Sequence, residues 1–337
     1  MYTVPSETEI VEALKAAGYL APDARPRLEC LTGGVSSDVF RLDTPAGPVC
    51  VKRALARLRV AADWRAPVIR SQYEVEWLRT ARRFAGAAVP EILFEDRSRN
   101  LFVMSFYDPQ THPVWKPELA AGRVDAGFAG QVGRMLATIH AGTAGSPEIA
   151  ARFETTALFE DLRLAPFLRR CAEVHPALAH RLIPLADRTA AARIALVHGD
   201  VSPKNILHGP DGPVLLDAEC AWYGDPAFDL AFCSAHLLLK CVWKPDHASA
   251  YLDAFYALQR AYLPGVAWES PADLDSRAAP LAAAILLARV DGKSPADYVR
   301  TPEDKGFVRD VAKRLVAEGT PAMAALAAVW KEALGTR

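Results

Sequence analysis

A chain of 337 residues, 51% hydrophobic and 23% charged, has the size and composition of a soluble protein with two domains or two lobes. Its formal net charge is −1, with basic and acidic residues interleaved throughout, which leaves no electrostatic footprint for nucleic acid or an anionic membrane. Six cysteines at irregular positions make no disulfide framework, and the apolar run 281–288 is far short of the roughly 20 residues a membrane span needs.

The N-terminal MYTVPSETEI has no basic segment followed by an apolar one, so the expectation is a cytoplasmic, reduced protein. Ser6 and Glu9 form a capping box, predicting an amphipathic helix up to Gly18. Three short β-like runs follow at 27–31, 38–42 and 49–53, separated by Gly33-Gly34 and by the Thr44-Pro45-Ala46-Gly47-Pro48 turn. A helix is predicted at 71–84, then two strands at 91–95 and 100–105 joined by a polar turn.

Beyond Tyr107 the pattern becomes helical, with alanine- and leucine-rich stretches at 125–141, 176–192, 226–240, 247–262, 276–290 and 303–317. The Pro- and Trp-bearing stretch 105–125 reads as a loop leaving an interlobe hinge, and a compact hairpin interrupts the helices near 196–217. The reading is an α+β, bilobal fold of the protein-kinase kind. Residues 1–105 form an N-terminal nucleotide-binding lobe with a small antiparallel sheet. Residues 106–337 form a large helical C-terminal lobe carrying the catalytic loop and acceptor site. Cys233, His236 and Cys241 lie in an apolar helical run and read as core residues, since no fourth ligand at zinc spacing follows.

The sharpest chemical signal is VHGDVSPKNIL at 197–207, followed by VLLDAE at 214–219. Phosphoryl transfer to an alcohol needs a carboxylate to orient the hydroxyl and accept its proton, oxygen ligands for Mg²⁺, and a cation for the phosphates. His198-x-Asp200-x4-Asn205 has the spacing of a kinase catalytic loop, with Asp200 as base, Asn205 as one metal ligand and Asp217 as the second. Residues 205–208 and 213–217 flank Gly209-Pro210-Asp211-Gly212 and should pair as a hairpin, bringing Asn205 beside Leu216 and Asp217.

In the first lobe, Gly33, Gly34, Ser36 and Ser37 lie between two strands, where backbone N–H groups can approach ATP phosphates. By alternation Lys52 shares a face with Cys50 and points into the cleft. Its expected partner is Glu74, which shares a helix face with Leu78, whereas Glu76 lies on nearly the opposite face. Met104 and Phe106, at the end of the last strand, are the expected adenine contacts. Asp291-Gly292-Lys293-Ser294 is no Walker A loop, because Leu287 stands where glycine is required, and Gly33-Gly34 lacks dinucleotide-site spacing.

The motifs HGDVSPKN, LLDAE and Gly-Asp-Pro-Ala-Phe-Asp-Leu-Ala at 224–231 resemble the aminoglycoside phosphotransferase (APH)/choline kinase-like superfamily, over roughly 31–317. The resemblance implies Asp200 as base, Asn205 and Asp217 as Mg²⁺ ligands, and Asp229, with His198, as support for the catalytic loop. Within the superfamily the chain is most similar to 5-methylthioribose kinases, at 73–78, Val89-Pro90, 115–122 and 289–292. It departs from them at Ala288, where a second sugar-binding arginine is expected beside Arg289, and at Gly33-Gly-Val-Ser-Ser, where they carry Asp-Gly-Asn. Gly199 replaces the arginine of protein kinases, and only seven residues separate Asp217 from Asp225, so no protein substrate is expected.

The acceptor is therefore a small-molecule hydroxyl compound, a sugar or polyol, a hydroxy acid or thioester, or an amino alcohol. Trp222, Tyr223, Asp225 and Arg289 are its candidate contacts. ATP and Mg²⁺ are the expected cofactors. The alternatives are a catalytically silent nucleotide-binding regulatory module, and an enzyme on the same scaffold that transfers AMP or modifies a protein.

Overall fold

The computed structural model of the chain describes residues 7–31, 36–55 and 67–336. The readings on Ser6, Gly33 and Gly34 lie outside the described residues.

The first lobe is built on one antiparallel sheet of five strands: β1 (Leu28–Cys30), β2 (Ser37–Thr44), β3 (Gly47–Ala54), β4 (Ile92–Asp96) and β5 (Leu101–Ser105), in the order β1-β2-β3-β5-β4. Alternation divides its side chains between two helices. Val49, Val51, Leu101 and Val103 pack with Ile10 and Leu14 of α1 (Glu7–Ala16). Cys50, Phe102 and Met104 take the other face and pack with Val75, Trp77 and Leu78 of α2 (Arg70–Ala85). Lys52, two residues from Cys50, is thereby turned toward α2 and the second lobe.

The second lobe is helical: α3 (Trp115–Ala120), α4 (Ala126–Thr143), α5 (Pro147–Arg152), α6 (Thr156–Phe159), α7 (Arg170–Val174), α8 (Ala179–Ala191), α9 (Ala227–Trp243), α10 (Ala248–Tyr262), α11 (Pro271–Asp291), α12 (Pro302–Glu318) and α13 (Met323–Gly335). At its centre is α9, buried from Ala227 to Val242 and mostly apolar, with Asp229, Ser234, His236 and Lys240 as its buried polar residues. Two antiparallel pairs complete the lobe: β6 (Ala195–Val197) with β9 (Trp222–Gly224), and β7 (Ile206–Gly209) with β8 (Gly212–Leu215).

The fold adds α5, α6, α7 and α13 to the expected helices and departs from sequence expectation in two further places. The stretch read as a loop contains α3, because Trp115 is buried edge-on against Phe128 and anchors a short helix. Residues 160–169 form a π-helical segment joining α6 to α7. Pro166 has no amide hydrogen to donate, and the wider turn accommodates it. No regular apolar period announces such a segment.

Candidate active site

The β7–β8 hairpin has the expected register, Ile206 opposite Leu215 and Gly209 opposite Gly212. It is extended by a hydrogen bond from the Leu216 amide to the Asn205 carbonyl, 2.8 Å. Asn205 and Asp217 thus meet at the open end of the hairpin. Asp217 adopts φ +70°, a left-handed conformation that costs a non-glycine residue about 1–3 kcal/mol and is concentrated at functional sites.

Asp200 is buried, with its carboxylate 3.0 Å from the Arg163 guanidinium and 3.1 Å from the Lys204 amine. Burial pushes the acid upward, but Lys204 and Arg163 outweigh it and hold Asp200 below the ordinary carboxylate range. The Asn205 side-chain amide donates to the Asp200 carbonyl at 3.0 Å, so the amide oxygen is the atom left for a cation.

Asp229 organises this loop from the first turn of α9. One carboxylate oxygen accepts from the His198 amide at 2.7 Å, the other from the Gly199 amide at 2.8 Å, and His140 contacts the first at 3.3 Å. His198 Nδ1 accepts from the Asp200 amide at 3.1 Å, so Nε2 carries the proton and donates to the Leu216 carbonyl at 3.0 Å. Gly199 has φ +79°, and a Cβ there would lie 2.7 Å from the Cys220 carbonyl oxygen, so no side chain fits.

Lys52 joins the two lobes. Its amine is 2.7 Å from Glu74 on α2 and 2.5 Å from Asp217. Burial alone would lower its pKa, but Asp217 and then Glu74 hold it protonated, and Asp217 is in turn kept ionised. Glu74 is left with the weaker share of the lysine. Burial raises its pKa to about 7 from an ordinary value of 4.5.

That shift has opposite consequences for activity and stability. Turnover at low ATP should fall as pH drops through about 7, because protonated Glu74 no longer anchors Lys52. The folded state binds this proton more tightly than the unfolded chain, so the same group adds stability as pH falls from about 7 towards 4.5. Glu74→Gln should remove both trends, read by kcat/KM for ATP and by urea midpoints across that range.

A second crossing between the lobes, not legible in the sequence, is centred on Arg70, which is fully buried at the start of α2. Its Nε donates to Glu219 at 2.9 Å, Nη2 to the Ser36 and Leu55 carbonyls at 2.6 Å each, and Nη1 to the Pro67 carbonyl at 3.1 Å. Ser36 and Ser37 are themselves buried, and Ser37 pairs with Ala54. Met104 sits in β5 opposite Cys50, and Phe106 follows the strand with the Arg41 guanidinium over its ring at 5.2 Å. Arg163 was also missed, since it comes from the irregular π-helical segment. Lys204, four residues after Asp200, could have been read from its spacing.

Three of the four expected acceptor contacts are not brought to the cleft. Trp222 is fully buried, stacked on Phe159 with ring centroids 4.2 Å apart. The Tyr223 hydroxyl donates to the Thr143 carbonyl at 3.1 Å and accepts from the Ser146 amide at 2.9 Å. Asp225 is gripped by Arg277, whose guanidinium also holds Glu269. The pairing of β9 with β6 turns Trp222 and Tyr223 inward, and Asp225, just past β9, is turned to Arg277. Arg289 is different: it lies against Phe167, whose ring also carries Arg163, and within electrostatic reach of Asp200.

Cys233, His236 and Cys241 are buried on α9, and among the described residues no group of three or more His, Cys, Asp or Glu is placed to hold a metal. No helix among the described residues is long and apolar enough to cross a membrane.

Comparison with known proteins agrees with this architecture. The chain is 25% identical over 279 residues to methylthioribose kinase 2 of Oryza sativa subsp. japonica, covering 72% of this chain and 64% of that kinase. It is 26% identical over 298 residues to the methylthioribose kinase of Yersinia enterocolitica, covering 80% and 74%. The chain therefore spans slightly under two thirds of the rice relative. The Plasmodium vivax ethanolamine kinase shares the fold, with a TM-score of 0.60 at 11% identity over 94% of this chain and 91% of that one. The model of the phosphotransferase enzyme family (APH) matches residues 27–263, and the chain belongs to that family.

Proposed function

We propose that the chain transfers the γ-phosphoryl group of ATP to a hydroxyl of a small molecule, with Asp200 as the base. The observation that carries this reading is the Lys52 bridge, which ties the sheet of one lobe, through Glu74 and Asp217, to the hairpin of the other. A buried lysine held charged between two carboxylates suits the α/β-phosphates of a nucleotide.

The donor set fits Mg²⁺: an amide oxygen from Asn205 and an ionised carboxylate from Asp217 would hold it, hard oxygen ligands that leave the remaining positions to phosphate and water. When bound, the ion supplies charge neutralisation at the phosphates. Asp200 does the rest through position. With its pKa held low it does not deprotonate an alcohol in the ground state. It orients the hydroxyl and accepts its proton late, as a loose phosphoryl-transfer transition state requires. Arg163 and Lys204 fix that carboxylate in place.

The test is Mg²⁺-dependent ATP binding followed by ADP release. Asp217→Asn should weaken Mg²⁺-dependent binding by at least the roughly 10–100-fold that losing even a ligand's supporting partner costs. Binding unchanged in that variant would remove Asp217 from the metal site. ATP binding with no ADP release on any hydroxyl compound would favour a silent nucleotide-binding module.

A further inference from the structure

The stripe Phe228, Phe232, His236 and Lys240 runs at four-residue spacing along α9, away from the catalytic loop that Asp229 braces. Its near end belongs to the active site, since the Arg163 guanidinium that grips Asp200 lies 5.7 Å from the Phe232 ring. Its far end is Lys240, eight residues or about 12 Å along the helix. Helical side chains lean toward the N-terminus, so the Lys240 amine leans back toward His236.

Lys240 is fully buried, and its amine has no hydrogen-bond partner among the described residues. It rests on aromatic faces instead, 3.3 Å from the centroid of Tyr298 and 4.6 Å from that of Trp243. Arg289 stands beside it. One Nη donates to the Ser294 carbonyl, while the Nε has no partner among the described residues. Lys116 closes the outer edge over the same Tyr298 ring at 5.5 Å. The carboxylate facing this group is Asp297, bidentate with Lys116 at 2.9 and 2.7 Å. His236 is occupied by the Tyr298 hydroxyl at 2.8 Å and kept neutral by burial and by the neighbouring cations.

Among the described residues, Lys240, Arg289 and Lys116 thus have two carboxylates in reach, Asp297, already paired with Lys116, and Asp200, which acts on Arg289, while the Lys240 amine and the Arg289 Nε are buried and unpaired. Buried unpaired donors are costly unless something completes them.

We propose that Lys240, Arg289 and Lys116 form a subsite for an anionic oxygen group on the acceptor, a carboxylate or a phosphate, roughly 10 Å from the hydroxyl presented to Asp200. This rests on the kinase reading above and narrows its acceptor to an anionic hydroxy compound. A polycation is repelled here, and a neutral sugar leaves the donors unpaired. Burial, with Lys116 and Arg289 beside it, pushes the Lys240 pKa well below the ordinary lysine value, and an anion arriving at the amine offsets that cost.

The test is ADP release with Mg²⁺-ATP against three matched pools: neutral polyols and sugars, hydroxy carboxylates, and phosphate monoesters bearing a free hydroxyl. Turnover is expected in one of the two anionic pools, and which one identifies the group. Lys240→Met, an unbranched apolar replacement suited to its aromatic surroundings, should raise KM for that acceptor at least tenfold with kcat changed less than threefold. Lys116→Gln, at the exposed edge, should raise KM about threefold. KM for ATP should not move in either.

Turnover confined to the neutral pool, or Lys240→Met with a lower melting temperature and an unchanged acceptor KM, would overturn the proposal in favour of a purely structural lysine. If no pool turns over, malonate and inorganic phosphate should still raise the melting temperature of the native chain and not of Lys240→Met. No such rise overturns the subsite. Failure of the kinase reading shows separately, as absent Mg²⁺-ATP binding or full turnover in Asp200→Asn.

Discussion

Asp200→Asn is expected to lower phosphoryl transfer by about 10²–10⁴-fold, the range a positioned general base contributes, while ATP affinity stays within a few-fold. Asparagine keeps the size of the side chain and can still accept a hydrogen bond from Arg163, but it cannot take the acceptor's proton. The Asn205 contact is to the Asp200 backbone carbonyl and survives the change, so the Asn205–Asp217 end of the hairpin should be undisturbed. The measurement is single-turnover ADP formation alongside nucleotide titration. A variant that turns over at the native rate would remove Asp200 from the chemistry. A variant that loses ATP binding instead would mean that the Asp200–Lys204 pair shapes the nucleotide site.

Asp229→Ala should be the most damaging change outside the chemistry itself. Its carboxylate satisfies two consecutive backbone amides and contacts His140, all fully buried, and alanine leaves the amides without partners. Each buried donor left unsatisfied costs about 1–3 kcal/mol, so two of them take a large fraction of a domain's net stability. The His198-Gly199 backbone would also be released, and with it the position of Asp200. Urea unfolding should show the lost stability, and any soluble fraction should have lower kcat with little change in KM for ATP. Asp229→Asn is a sharper control: it keeps the volume but turns an N–H₂ group toward one of the two amides, so it should fall much closer to alanine than to the native chain. Native-like unfolding for both variants would assign the bracing of the loop to other contacts.

The parts legible in the sequence are those set by local rules. Alternation placed Lys52 on the Cys50 face of β3, helical spacing chose Glu74 over Glu76, and the Gly-Pro-Asp-Gly turn fixed the hairpin that brings Asn205 to Leu216. What could not be read depends on distant packing. Arg163 reaches Asp200 from a π-helical segment with no periodic signature, and Arg70 meets Glu219 across 149 residues. Trp222, Tyr223 and Asp225 look like cleft residues because they follow Asp217 closely. Only the β6–β9 pairing shows that their side chains hold the core together. Lys240 was hidden for the opposite reason, as the one lysine within a mostly apolar helix, with surroundings that come from Lys116, Arg289 and Tyr298 far away in the chain.

The Ser36, Leu55, Pro67 and Glu219 partners of Arg70 bear on how the two lobes can move. One planar guanidinium fixes the spacing of Ser36, Leu55 and Pro67 on one side and of Glu219, two residues from Asp217, on the other. A lysine offers a point charge with no fork and could hold at most some of these at once. Any widening of the cleft must therefore either break a fully buried ion pair or carry Ser36, Leu55 and Glu219 along as one block. The Arg70 side of the cleft moves as one block, keyed by a single guanidinium.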